Sequence, residues 1–291
     1  MRLILSILIA LSTLSFGTVA VSGEVMCAEP VASPAASPEA SPQAEIPPEG
    51  NFHFEGGELT VFAAASLTDA FNEIATVVME QNEGLTITVE TAGSQSLVTQ
   101  LEEGASADVL ATANTSTMDR AVDSELIAGD PMIFTGNRLV IVTPIENPAG
   151  IESIDDLAGD DIRLVLANPE VPAGNYANIA FCNYAAVEGS PNGFLNAING
   201  NIVSEEVDVR TVLAKVQLGE ADAGVVYASD AVASELNGVP LNVIEFPDSV
   251  PTRAEYPIAA VAGDEEGAAN AFINFVMSEE GQAILKKYGF E

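Results

Sequence analysis

Basic residues are scarce in this 291-residue chain: nine Lys and Arg stand against 43 Asp and Glu, for a formal net charge of -34. A surface of that sign repels phosphate backbones and anionic headgroups, which excludes nucleic acid and an anionic membrane surface as partners. Histidine is scarcer still. The single one, His53, lies in or beside a Pro/Ala/Ser-rich stretch, so a Ser-His-Asp triad has no base and a transition metal has no imidazole cluster. Cysteine is limited to Cys27 and Cys182, too few for a thiolate metal centre, and the carboxylates are scattered as solubilising charges are. Serine and metal-dependent hydrolases thereby lose their central residues. An enzyme of either class is therefore the less favoured reading, and no cofactor is expected.

The chain is long enough for two lobes with a sizeable core, and its hydrophobic fraction of 48% is ordinary for a globular protein. Arg2, the mostly apolar run Leu3 to Val21 and the small-x-small site Ala20-Val21-Ser22 read as an export signal over residues 1–22. A retained membrane anchor is the alternative, and the Ser, Thr and Gly content of the run argues against it. Residues 23–57 are dominated by Pro, Ala, Ser and Glu, including Ala32-Ser33-Pro34, Ala36-Ser37-Pro38 and Ala40-Ser41-Pro42, a composition expected of a semi-extended tether. Cys27 stands where an exported bacterial lipoprotein carries its lipid, although Glu24-Val25-Met26 departs from the usual preceding pattern. The chain is thus expected in the periplasm or tethered to the outer face of the cytoplasmic membrane. Cys182 lies in the apolar, helical Ile179-Ala180-Phe181-Cys182-Asn183-Tyr184 and is expected as a buried free thiol. A Cys27–Cys182 bridge is disfavoured by the tether at one end.

From Glu58 onward short aliphatic runs alternate with helical segments. The strands are expected at Leu59 to Ala63, Leu85 to Thr91, Asp108 to Thr112, Leu139 to Thr143, Arg163 to Ala167, Ala223 to Tyr227, Leu241 to Phe246 and Tyr256 to Ala262. Such alternation predicts an α/β fold with largely parallel sheets and ligands beyond the carboxyl ends of the strands. The expected division is 58–138 plus 257–291 for one lobe and 139–256 for the other, hinged near Gly136 to Leu139 and Arg253 to Tyr256.

Several of those strand ends carry donors. Val61 to Ala65 runs into Ser66 at a helix start, and Thr86 to Thr91 is followed by Ala92-Gly93-Ser94 and a second helix. A hydroxyl there, with the neighbouring N–H groups and the positive helix end, can face an anion, although for any single serine a simple N-cap is the commoner role. Val171-Pro172-Ala173-Gly174 marks a Pro-led helix start, Asp208-Val209-Arg210 an acid-led one, and Tyr227 ends an apolar strand. Each has a purely structural reading as well, the last as a core tyrosine with a wet tip.

Taken together with Thr60 to Leu67, Ala107-Asp108-Val109, Val225-Val226-Tyr227, Ser229-Asp230-Ala231, Glu255-Tyr256-Pro257 and Lys287-Tyr288-Gly289-Phe290, these words make Glu58 to Phe290 resemble the periplasmic molybdate-binding proteins of ABC importers. The resemblance implies a two-lobe periplasmic-binding-protein fold of type II-like form, with a hinge and a ligand cleft between the lobes. It also implies a monomer that delivers molybdate, and tungstate with it, to an ABC permease. By position Ser66 and Ser94 would bind the oxyanion through hydroxyl and N–H groups, Ala173 and Val209 through N–H groups, and Tyr227 through its phenol. Gly93-Ser94-Gln95-Ser96 departs from the serine run common in the family, which keeps Ser96 as the alternate to Ser94. The chemistry agrees: fully deprotonated molybdate only accepts hydrogen bonds, so neutral donors suit it and the flanking Asp208 does not. A binding protein for another tetrahedral oxyanion such as sulfate is the nearest alternative.

Overall fold

One long strand ties the molecule together. In the computed structural model, which describes Val25, Cys27 and residues 57–187, 190–263 and 266–291, β4 runs without a break from Ile127 to Pro144. Its first part, through Arg138, pairs with β9 (Arg253–Val261), and from Leu139 on it pairs with β7 (Ala223–Tyr227) and β8 (Leu241–Glu245). The first sheet is ordered β2 (Leu85–Ala92), β1 (Gly57–Ala64), β3 (Val109–Ala111), β9, β4; beyond β4 and β7 the second continues to β5 (Leu164–Ala167) and β6 (Ile202–Glu206). Helices α1 (Thr68–Gln81), α2 (Ser94–Glu102), α3 (Thr115–Asp123) and α8 (Glu266–Met277) pack with the first sheet, and α9 (Glu279–Lys287) packs on α1 and α8. The second lobe holds α4 (Pro172–Ala186), α5 (Phe194–Asn201), α6 (Val209–Gln217) and α7 (Ala228–Leu236). The chain crosses between lobes at Arg138–Leu139 and just before Arg253, where the Leu139 N–H donates to the Thr252 carbonyl at 3.0 Å.

The sheets are mixed rather than largely parallel. The β1–β2, β1–β3, β5–β6 and β5–β7 pairs are parallel, whereas every pairing of β4 and β9 is antiparallel. The reason is topological: the two crossing strands run against the βαβ strands beside them. Sequence patterning also misses the first half of β4, because Gly129, Asp130, Pro131 and Gly136 read as turn residues. They are accommodated by register shifts opposite β9, between Ala128 and Met132 and between Ile133 and Thr135. It misses α5 and β6 as well, whose Asn-rich and acidic stretches carry little periodicity. The segment Ile154 to Ala158, whose pattern predicts a helix, forms only a 3-10 turn over Asp155–Ala158.

Helix α1 shows why the periodic segments behave as expected. Ala70, Phe71, Ile74, Ala75 and Val78 make one buried stripe, with Phe71 edge-on to Phe134 and Phe272 at 5.7 and 6.0 Å between ring centroids. Burying one such ring contributes about 1.5 to 3 kcal/mol.

Cys182 is not a free thiol. It is bonded to Cys27, with their Cα atoms 5.6 Å apart and a sequence separation of 155. Val25 holds the approach: it is 6% exposed, and its N–H donates to Asn199 Oδ1 of α5 at 2.7 Å. The tether composition around Cys27 hid this local anchor. A sulfur committed to a disulfide is also not the free thiol that lipid attachment requires. By chain entropy alone, closing so long a loop destabilises the unfolded chain by about 5 kcal/mol. The leader over 1–22, His53 and the rest of the Pro/Ala/Ser-rich segment up to Gly56 lie outside the described residues. Among the described residues no helix is long and apolar enough to cross a membrane.

Candidate functional site

Between the lobes lies a small cavity, lined from the first lobe by Ala64, Ala65, Ser66, Gly93, Ser94 and Ala113 and from the second by Val171, Pro172, Ala173, Val209 and Tyr227. All five residues singled out from the sequence line it. Ser96 does not; it faces an adjoining, larger groove with Gln95 and Glu170. Every lining residue is electrically neutral.

Neither serine serves as an N-cap. Ser66 sits within the single 3-10 turn Ala65–Leu67, which has no side-chain cap, and its Oγ is 2.9 Å from the Tyr256 hydroxyl. With Tyr256 as the donor, the Ser66 hydrogen is left for a guest in the cavity. Ser94 opens α2 behind an uncapped Gly93, and its Oγ accepts the Ala113 N–H at 3.1 Å. Its hydroxyl hydrogen is likewise free to turn inward. Both serines are buried, at 3% and 1% exposure.

On the other side, α4 begins at Val171, again with no side-chain cap and with Pro172 in the first helical position. Gly174 lets this start approach β5 closely: a Cβ there would stand 2.2 Å from the Asn168 carbonyl oxygen and 2.3 Å from that of Ala167. The first-turn N–H groups of a helix have no partner within it, and Ala173, in that first turn, lines the cavity. Asp208 does not face the cavity. Its carboxylate caps α6, accepting the Thr211 N–H at 2.8 Å, and leaves the earlier N–H of Val209 beside the cavity.

Tyr227 completes the lining. It is 1% exposed, its ring lies edge-on to Tyr256 at 5.7 Å, and its hydroxyl has no hydrogen-bond partner. Burial raises both phenols well above their ordinary pKa, so each remains a donor at neutral pH. Sequence reasoning assigned no role to Tyr256, Asn137 or Ser229, although Asn137 Nδ2 donates to Ser229 Oγ at 2.8 Å and the three lie behind Ser66 and Tyr227. Tyr256 stood in the quoted Glu255-Tyr256-Pro257, but its partner is 190 residues away and no local pattern announces it.

Charge is gathered just outside. Arg210 on α6 pairs with Asp230 of α7 at 2.8 Å and with Asp69 of α1 at 2.7 Å. Burial pushes the Asp230 carboxyl up to about 6, against the lowering pull of Arg210. Among the described residues no cluster of His, Cys, Asp and Glu is suited to a metal ion.

A sequence profile for bacterial extracellular solute-binding proteins matches residues 59–291. The chain is 36% identical over 248 residues to the molybdate-binding protein ModA of Escherichia coli K12, covering 83% of this chain and 91% of that one. Among solved structures, the periplasmic molybdate-binding protein of Azotobacter vinelandii superposes with a TM-score of 0.68 at 18% identity, over 80% of this chain and 98% of that one. The sulfate-binding protein SubI of Mycobacterium tuberculosis superposes with a TM-score of 0.70 at 21% identity, over 80% and 86%. The fold is therefore shared by proteins named for two different oxyanions and does not choose between them.

Proposed function

Because this chain belongs to the bacterial extracellular solute-binding protein family, we propose that it captures molybdate, and tungstate with it, outside the cytoplasm and delivers the ion to an ABC permease. The observation that carries the ligand class is the cavity: neutral donors converge on it from both lobes, and the Tyr227 phenol is buried there without a partner. A buried donor of that kind is costly unless something accepts its proton. Ser66, Ser94, Ala173, Val209 and Tyr227 are the proposed ligand set.

The chemistry of that set suits a fully deprotonated tetrahedral dianion. All of its oxygens accept, and hydroxyl, phenol and helix-start N–H groups all donate. A hydrogen phosphate would bring a proton for which the lining side chains offer no carboxylate. The cavity is far smaller than the organic-ligand pockets of about 300 to 1,000 Å³, and it suits a compact ion. Long-range repulsion from the acidic surface is screened within roughly 8 Å at physiological ionic strength. Inside a dry cleft the helix-start dipoles act at close range. Rotation about the crossings at Arg138–Leu139 and before Arg253 opens the cleft for loading and release.

Competition calorimetry at fixed salt, with elemental analysis of the copurified ion, tests this reading. One molybdate per chain is expected, displaced by tungstate at comparable concentration and by sulfate only at a large excess. Sulfate is smaller, and a cleft closed to the larger ions leaves it short of some donors. Displacement by sulfate at comparable concentration would make the protein a sulfate-binding one.

A further inference from the structure

The ligand set leaves two quoted words without a role, Arg210 beside Val209 and Asp230 beside Ser229, and the structure joins them. The Arg210 Nε is 2.8 Å from Asp230 Oδ1, and that carboxylate is fully buried. Its other oxygen accepts the Tyr227 N–H at 3.0 Å. The same guanidinium reaches across the cleft: Nη2 is 2.7 Å from Asp69 Oδ2 on α1 and donates to the Ser66 carbonyl at 3.3 Å. The two carboxylate contacts are close charge pairs without hydrogen-bond alignment, as expected of one guanidinium shared among three acceptors.

We propose that Arg210 is a positioning residue for oxyanion capture, an interlobe latch whose Asp230 half is permanent and whose Asp69 and Ser66 half forms only when the cleft closes. The inference rests on the binding function proposed above. Asp230 lies on α7 of the same lobe as α6, so hinge opening leaves that pair intact. Asp69 and Ser66 belong to the opposite lobe, so opening removes them from reach. Asp69 receives a second contact from the lobe that carries Arg210, the Asn237 amide donating to its Oδ1 at 3.2 Å. Because Arg210 and Asp69 side chains are each 23% exposed, salt screens them less than the surface pairs Arg120–Glu102 and Arg163–Asp222, each internal to one lobe, with 44% and 47% exposed arginines. Arg210 thus clamps the two elements that bear Ser66 and Tyr227 without touching the ion. A clamp present only in the closed state slows release and leaves the encounter step alone.

The test is a chase of radiolabelled molybdate with excess unlabelled molybdate, combined with calorimetric affinity, for the parent, Asp69→Asn, Arg210→Gln, the double variant and Arg120→Gln as an intralobe control. Asp69→Asn leaves the buried Arg210–Asp230 pair in place, so its melting temperature without molybdate should match the parent. Its release rate should rise on the order of tenfold, with association within about twofold, and the double variant should release no faster than the faster single one. Arg210→Lys keeps a cation beside Asp230 and replaces Arg210→Gln if the latter does not fold. Parent-like release in Asp69→Asn, a loss confined to association, or fully additive effects would overturn the latch while leaving the binding function standing. Failure of the parent itself to take up molybdate would remove that function and the latch with it.

Discussion

Helices α3 and α9 begin differently from α2 and α4. Asn114 Oδ1 accepts the Thr117 N–H at 3.0 Å, and Ser278 Oγ accepts the Gly281 N–H at 3.2 Å, so the first two helices cap themselves. Helices α2 and α4 start at Gly93 and Val171 with no side-chain cap, and both residues are buried, away from bulk water. Helix α5 is uncapped too, but its Gly193 is exposed and solvent can serve it. Helix α6 stands between the two kinds, capped by Asp208 yet leaving Val209 at the cavity. A helix end denied both its own cap and water is arranged for an outside acceptor.

The sharpest way to break this contrast is at the close approach that sets the α4 start. Gly174→Ala places a methyl among backbone carbonyls that cannot yield cheaply, and it should cost molybdate affinity at least roughly a hundredfold and lower the melting temperature. Calorimetry with parent-like affinity would mean that the α4 start contributes nothing to binding.

Tyr227→Phe comes next. It keeps the ring and removes one donor to a charged acceptor, so binding should weaken by about 1 to 3 kcal/mol. The unliganded protein should be no less stable, because the lost hydroxyl has no partner there. A clear loss of unliganded stability in chemical denaturation would reveal a protein partner for that hydroxyl instead.

Asp230 offers a pH-dependent test of the charges beside the site. Burial raises its folded pKa from 3.8 to about 6, so the folded chain holds the proton more tightly than the unfolded one. Its contribution is therefore most favourable below pH 3.8 and falls as pH rises to about 6. The stability of the parent relative to Asp230→Asn should fall across that window, by on the order of 1 to 3 kcal/mol, and level off above it. A difference that rose with pH would show that Arg210 outweighs burial.

The smallest effect belongs to the self-capped end. Asn114→Ala should cost about 1 kcal/mol of stability and leave molybdate affinity unchanged. An equal loss of affinity in calorimetry would erase the distinction between the two kinds of helix start.

Local chemistry made one part of this protein legible from its sequence. Strand ends running into helix starts at Ser66, Ser94, Pro172 and Val209 are written in spans of a few residues, because helix hydrogen bonds and proline constraints act over one turn. The neutrality of the donors was legible for the same reason, as were the resemblance and the two-lobe fold it implied. What the donors do needed the tertiary structure. Whether a serine caps its own helix or turns to Tyr256 depends on a contact 190 residues away. The Cys27–Cys182 bridge spans 155 residues, and the reach of Arg210 to the Ser66 carbonyl spans 144. The mixed direction of the sheets depends likewise on where β4 and β9 cross. Such pairings are decided by which surfaces the folded lobes bring together, and short-range propensity carries no record of a partner that distant.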